Sequence, residues 1–134
     1  MPDIRCITAD SLGFLDTISS GNRRNRVFTV VGYGMQSYIK PFNSDIWERH
    51  FGQVRLVELK STFNGDKASA KLTNNPGSTS GGSCYGDSGG SAFYSTTNMV
   101  VAVVSWGITP CIGVDRNFRI NTPAAQDFVR QYLH

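Results

Sequence analysis

Gly81-Gly82-Ser83-Cys84-Tyr85-Gly86-Asp87-Ser88-Gly89-Gly90 sets a serine between glycines, with an acid directly before it. Glycine gives up the most conformational entropy on folding, so a glycine cluster marks backbone that takes unusual angles or admits a close neighbour. A nucleophilic serine needs both. Its hydroxyl must stand exposed on a tight bend, and nearby backbone N–H groups must converge to hold a developing negative charge. A glycine-rich β-turn between two strands accounts for the same residues. By themselves, these ten leave both readings open.

Working outward from the cluster, the chain reads as strands. Ser91 to Tyr94 follows it directly, and Met99 to Trp106 is a nearly continuous apolar run that fits a buried strand. Upstream, Val27 to Gly34 is rich in β-branched and aromatic residues and ends at glycine. Gln53 to Thr62 alternates, with Val54, Leu56 and Glu58 on one side and Arg55, Val57 and Leu59 on the other. Ala70 to Thr73 is a shorter candidate, and Phe118 to Asn121 is the sixth. Asn74 to Gly82 reads as loop, as does the stretch between Gly34 and Gln53. At the end, Thr122 is placed to cap a helix that Pro123 begins, with Ala124, Ala125, Phe128, Val129, Tyr132 and Leu133 at helical spacing. Residues 1–26 carry little periodic signal and are expected to form an extended, linker-like arm. The predicted fold class is all-β: a small closed barrel of six antiparallel strands over 27–134, with a C-terminal helix.

The 134 residues allow one domain with a real core. A net charge of +3 is too mild to point to nucleic acid. The basic run Arg23-Arg24-Asn25-Arg26 sits among Gly and Asn and reads as a solvated loop rather than a phosphate site. No apolar run is long enough to span a membrane as a helix. Pro2-Asp3-Ile4-Arg5 does not begin a signal peptide, so the chain is expected to be cytoplasmic as written, or a mature or trimmed piece of something longer. Three cysteines, Cys6, Cys84 and Cys111, allow one internal disulfide. None is spaced as C-x-x-C, which argues against a zinc site.

Gly86-Asp87-Ser88-Gly89-Gly90 resembles the GDSGG motif of trypsin-like (chymotrypsin-fold) serine peptidases. Several further features are similar to that family, in the same order. Cys84 lies four residues before Ser88; Ser105-Trp106-Gly107 closes a strand seventeen residues after it; Cys111 follows; Phe118 to Pro123 leads into the helix. Thr29 to Gly34 is similar to the strand that opens the family's second barrel. The resemblance covers about residues 27–134 and implies one half of the double barrel, with Greek-key topology, as in short secreted bacterial members.

By this resemblance Ser88 is the nucleophile, and the N–H groups of Gly86 and Ser88 form the oxyanion hole. Cys84 and Cys111 form a disulfide. Gly82, Ser83, Tyr85, Ser105, Trp106 and Gly107 bind substrate, a peptide or small ester. No metal or cofactor is implied, and members of this kind are secreted. Gly82 and Ser83 supply no carboxylate to the specificity pocket, so an apolar or small neutral group is expected there. For Trp106, plain core packing is the competing account.

The chain departs from the family where a base is needed. A triad requires a base to take the serine proton and a carboxylate to orient it. In the family both come from the first barrel, and a two-barrel enzyme needs roughly 200–250 residues. The two histidines here are His50, in the loop region before the second strand, and His134, the last residue. Neither matches the family's histidine, and each reads most simply as solvent-exposed. The family's equivalent of Asp87 pairs with a newly cut N-terminal ammonium, so Asp87 is expected to find another cation, stay solvated, or leave its loop unformed. Cys6 resembles a linker cysteine with no partner here. A lone barrel would expose the face that meets its other half, which predicts a homo-oligomer or a missing first barrel as partner. The function expected is a serine hydrolase, its base drawn from another chain, from His50 or from water. The alternatives are a non-catalytic peptidase-like binding module, or an isolated half of a longer endopeptidase.

Overall fold

The computed structural model describes residues 5–6, 12–20, 27–36, 48–59, 68–75, 81–108 and 110–132. Its elements, in order, are β1 (Arg5–Cys6), α1 (Phe14–Ser20), β2 (Val27–Gly32), β3 (His50–Glu58), β4 (Ser69–Asn74), β5 (Ser91–Tyr94), β6 (Met99–Gly107), β7 (Gly113–Arg119) and α2 (Pro123–Arg130). Strands β2 to β7 pair antiparallel in the order β6-β5-β2-β3-β4-β7, and β6 also pairs with β7, closing a six-stranded barrel. Strand β5 returns to lie beside β2 after the β2-β3-β4 meander, which is Greek-key order. The two-residue β1 adds to β6 in parallel, with Cys6 opposite Val100.

Alternation places the core. Phe28 and Val30 of β2, Val54 and Leu56 of β3, and Ala70 and Leu72 of β4 are all buried. The predicted alternation of β3 fails at its end. A register shift between Leu56 and Glu58 turns the strand, so Glu58 is exposed and Leu59 joins the core.

Three expectations are corrected. The first concerns residues 1–26: 14–20 is helical, not extended. Leu15 and Ile18, one turn apart, both enter the core, each burial contributing about 1.5–3 kcal/mol. Seven residues with two serines and a threonine make a poor isolated helix, so tertiary packing sustains α1. Second, β3 starts at His50, which lies on the strand opposite Gly32 rather than in a loop.

The third correction is the closing strand, which runs Gly113–Arg119 rather than Phe118 to Asn121. Its inward side is polar. Asp115, Asn117 and Arg119, with Asn121 just beyond, are buried, while Phe118 faces out. Arg119 is held from both ends: its Nη2 donates to Asp16 of α1 at 2.5 Å and its Nε to Asn121 at 3.1 Å. The amide group of Asn117 has no partner among the described residues.

Helix α2 is capped as expected: the Thr122 hydroxyl accepts from the Ala125 N–H at 3.4 Å, and Pro123 opens the helix. Its aromatic residues are not on the core side. Phe128 and Tyr132 meet at a tilt, both exposed, and Ala125 and Gln126 are buried instead. His134 and Leu133, the Arg23 to Arg26 run and the side chain of Cys6 lie outside the described residues.

Candidate active site

The segment from Gly81 to Gly90 leads into β5. It is fixed from three sides. Cys84 is disulfide-bonded to Cys111, with Cα atoms 5.3 Å apart. Gly89 N–H donates to the Val104 carbonyl and Val104 N–H to that of Gly90, at 2.8 and 2.9 Å, stitching the loop to β6. Met35 N–H donates to the Tyr85 carbonyl at 2.8 Å, tying it to the end of β2.

Asp87 organises the bend. Its carboxylate accepts from two backbone N–H groups, Gly34 at 2.8 Å and Cys84 at 2.9 Å. Among the described residues, backbone N–H dipoles stand where a cation was expected. Gly32 at the end of β2 and Gly34 just beyond it make room for this. A Cβ at Gly32 or at Gly34 would run into the Asp87 carboxylate. Gly86, at φ 95°, would be strained with any other residue and lies against Gly34.

Of the loop's N–H groups, those of Asp87, Gly89 and Gly90 are hydrogen-bonded. Those of Gly86 and Ser88 have no partner among the described residues, and these are the two assigned above to an oxyanion hole. The Ser88 hydroxyl donates to the Ser105 carbonyl at 3.4 Å and is exposed.

A pocket of about 200 Å³ opens beside Ser88, walled by Tyr85, Ser105, Trp106 and Gly107. Trp106 is 40% exposed, with the Arg116 guanidinium 5.3 Å from its ring centre, so it is a pocket wall rather than a core residue. Asp115 of β7 also lines this pocket. Gly82 and Ser83 carry no carboxylate, as expected, but a neutral pocket does not follow: the closing strand supplies the acid. Asp115 is 2% exposed. Its Oδ2 accepts from Ser83 N–H at 3.1 Å and from the Ser83 hydroxyl at 2.5 Å, and its Oδ1 from Asn74 Nδ2 at 2.8 Å. Burial pushes its carboxyl above the ordinary range, against the lowering by these bonds. Neither Asp115 nor Asn74 was singled out from the sequence. The signal was there as period-two spacing of Asp115, Asn117 and Arg119, read with polar residues inward.

His50 does not meet Ser88 in this pocket. It lines a second cavity of about 250 Å³, behind the nucleophile loop, together with Gln36, Gly82, Ser83 and Asp87. Its Nε2 lies 3.7 Å from a Glu48 carboxylate oxygen, in solvent. Among the described residues, no cluster of His, Cys, Asp or Glu is arranged to hold a metal, and no helix is long and apolar enough to cross a membrane.

Comparison with known proteins agrees with this fold. The sequence model of one family, described as Trypsin, matches residues 14–129. No curated protein matches. Among solved structures, the chain is similar to one described as HL collagenase, at 18% identity and a TM-score of 0.62. That match covers 98% of this chain and 54% of the collagenase chain, so the chain spans about half the length of that structure. At this identity the likeness speaks for the fold alone.

Proposed function

The chain belongs to the trypsin family, and from that premise we propose that it is a serine hydrolase in which Ser88 attacks an ester or peptide carbonyl. One observation carries this. The Asp87-anchored loop leaves open the N–H groups of Gly86 and Ser88 while engaging those around them. Two open donors flanking an exposed serine hydroxyl suit an oxyanion that forms on attack, and losing one such donor costs about 3–4 kcal/mol in the transition state.

The proton of Ser88 needs an acceptor. In this structure the hydroxyl faces the Ser105 carbonyl, and His50 lines the cavity on the other side of the loop. We assign the base to a complementary domain, in this polypeptide or another, or to a second copy of the chain. The outer face of β2 and β3 around Tyr33 and Phe51 is available to receive it; these rings are 56% and 72% exposed. Without that base, the oxyanion hole and binding alone leave about 10³–10⁴-fold over water. Activated esters then turn over, and peptide bonds do not.

A binding module without catalysis is the second reading, favoured by the Ser88 hydroxyl resting on a carbonyl rather than a base. A fluorophosphonate probe separates the two. Label on Ser88, absent from Ser88→Ala, supports the hydrolase. Folded protein that takes no label at any pH and turns over no activated ester would leave only the binding module.

A further inference from the structure

Two irregularities in the barrel converge on a single row of side chains. With Leu56 opposite Leu72, regular pairing would set Val57 of β3 against Lys71 of β4. With Val104 opposite Asn117, it would set Ser105 of β6 against Arg116 of β7. A register shift in each of the two strands changes this: Glu58 stands opposite Lys71, and Trp106 opposite Arg116. Lys71 and Arg116 are themselves directly paired. Glu58, Lys71, Arg116 and Trp106 thus form one row across β3, β4, β7 and β6. We propose that this row is a brace for the wall of the pocket beside Ser88, in which Arg116 acts through the Trp106 indole as a positioning residue for the bound substrate. This rests on the reading of that pocket as a substrate site.

The row lies on the outside of the barrel. Lys71 falls between buried Ala70 and Leu72, and Arg116 between buried Asp115 and Asn117. Its contacts run in one direction. Lys71 Nζ donates to Glu58 Oε1 at 3.3 Å, at the end of the row away from the pocket. The Arg116 guanidinium lies 5.3 Å from the centre of the Trp106 ring, at the other end. Like charges directly opposite one another destabilise a sheet. Here the two cations are drawn apart, Lys71 to a carboxylate and Arg116 to an aromatic face. The ammonium therefore discourages the guanidinium from folding back over β4 and favours its place on the indole.

Trp106 lines the pocket and Arg116 does not, so the guanidinium reaches a ligand there only through the ring. The wall needs this hold. Trp106 is flanked in sequence by exposed Ser105 and Gly107, which offer little side chain to pack against it. Without the shift in β6, Ser105 would occupy the place opposite Arg116 and the ring would have no cation across from it. Bulges beside active sites commonly re-aim a side chain in this way.

A charge swap tests the direction of the row. Glu58→Lys combined with Lys71→Glu keeps an ion pair and the net charge, but sets a carboxylate opposite Arg116. The guanidinium should move onto it and leave the ring. The chain has two tryptophans, Trp47 and Trp106, so proton–nitrogen NMR resolves two indole N–H signals, and Trp106→Phe assigns them. In the swap the Trp106 signal should shift while that of Trp47 stays in place. Hydrocinnamamide, a neutral aromatic amide, is then titrated into wild type and swap, with the Trp106 signal as readout. Its affinity should fall by about two- to fivefold, the size of an exposed cation–π contact. Arg116→Gln should match the swap, and Arg116→Lys should retain part of the wild-type affinity. Circular dichroism confirms folding, and the Arg116 variants carry the test where the swap does not fold. A Trp106 signal that stays in place overturns the proposal, as does an amide affinity equal to that of wild type. None of these measurements needs catalysis. Loss of fluorophosphonate labelling and ester turnover with these results intact would sink the hydrolase reading alone.

Discussion

Gly32 and Asp87 form a pair whose energetics can be separated by mutation. Asp87→Ala removes the acceptor of the Gly34 and Cys84 N–H groups. Hydrogen bonds to charged groups contribute about 1.5–3 kcal/mol each, and the loop's partial exposure lowers the sum to roughly 2–4 kcal/mol. Gly32→Ala puts a methyl group where the Asp87 carboxylate lies. The carboxylate must move away, so the same two bonds are lost, and overpacking adds about 1–3 kcal/mol. In the Asp87→Ala background the colliding oxygen is gone, and the nearest remaining atom, Cβ of residue 87, would be 3.3 Å away. Gly32→Ala should then cost less than about 1 kcal/mol, for a coupling of at least about 2 kcal/mol in the cycle. Urea denaturation of the four proteins measures it. Costs that add to within about 0.5 kcal/mol would refute the claim that β2 holds the nucleophile loop through this carboxylate.

Reduction of Cys84–Cys111, which closes a sequence separation of 27 residues, should lower stability by about 3–4 kcal/mol and slow labelling of Ser88. Thermal melts with and without reductant, beside a Cys84→Ser/Cys111→Ser variant, check this; equal melting points would refute it. Asp16→Ala removes the carboxylate that pairs with the almost fully buried guanidinium of Arg119 and should cost about 1–2 kcal/mol, which chemical denaturation reads directly. Because Asp115 has its carboxyl raised above 3.8, the folded state holds its proton more tightly than the unfolded chain does. Its contribution to stability should therefore fall as pH rises from about 3.8 through the raised value, and Asp115→Asn should flatten that part of the profile. Asn117→Val removes an amide without a described partner and should be neutral or stabilising by about 1 kcal/mol. A loss above about 2 kcal/mol would reveal a bound water instead.

The barrel was legible where hydrophobic alternation and composition coincide. Strands β2, β5 and β6 lie close to their predicted bounds, and the Thr122 cap and Pro123 start are where spacing put them. The nucleophile loop was legible because its chemistry requires rare residues in a fixed order. What failed to show has particular causes. Helix α1 is sustained by Leu15 and Ile18 meeting a core that no local window contains. The extra turn of β3 carries exposed Phe51 beside buried Gly52, the reverse of what polarity suggests. Strand β7 hid for the same reason, since Asp115, Asn117 and Arg119 face inward and Phe118 does not. Asp115 thus lay outside every candidate strand, and the pocket was expected to take an apolar or small neutral group.

That polar inner row governs how the chain can assemble. A strand whose apolar residues point inward finds its register by burying them, and a slip of one residue is punished at once. Slipping β7 by one would instead bury Val114, Arg116 and Phe118 and release Asp115, Asn117 and Arg119 to water, a trade that hydrophobicity alone does not oppose. What selects the native register is the set of partners: Asn74 and Ser83 for Asp115, and Asp16 for Arg119. All three precede β7 in the sequence. The closing strand therefore finds these partners on segments synthesised before it, so its register is set by polar fit rather than by apolar burial.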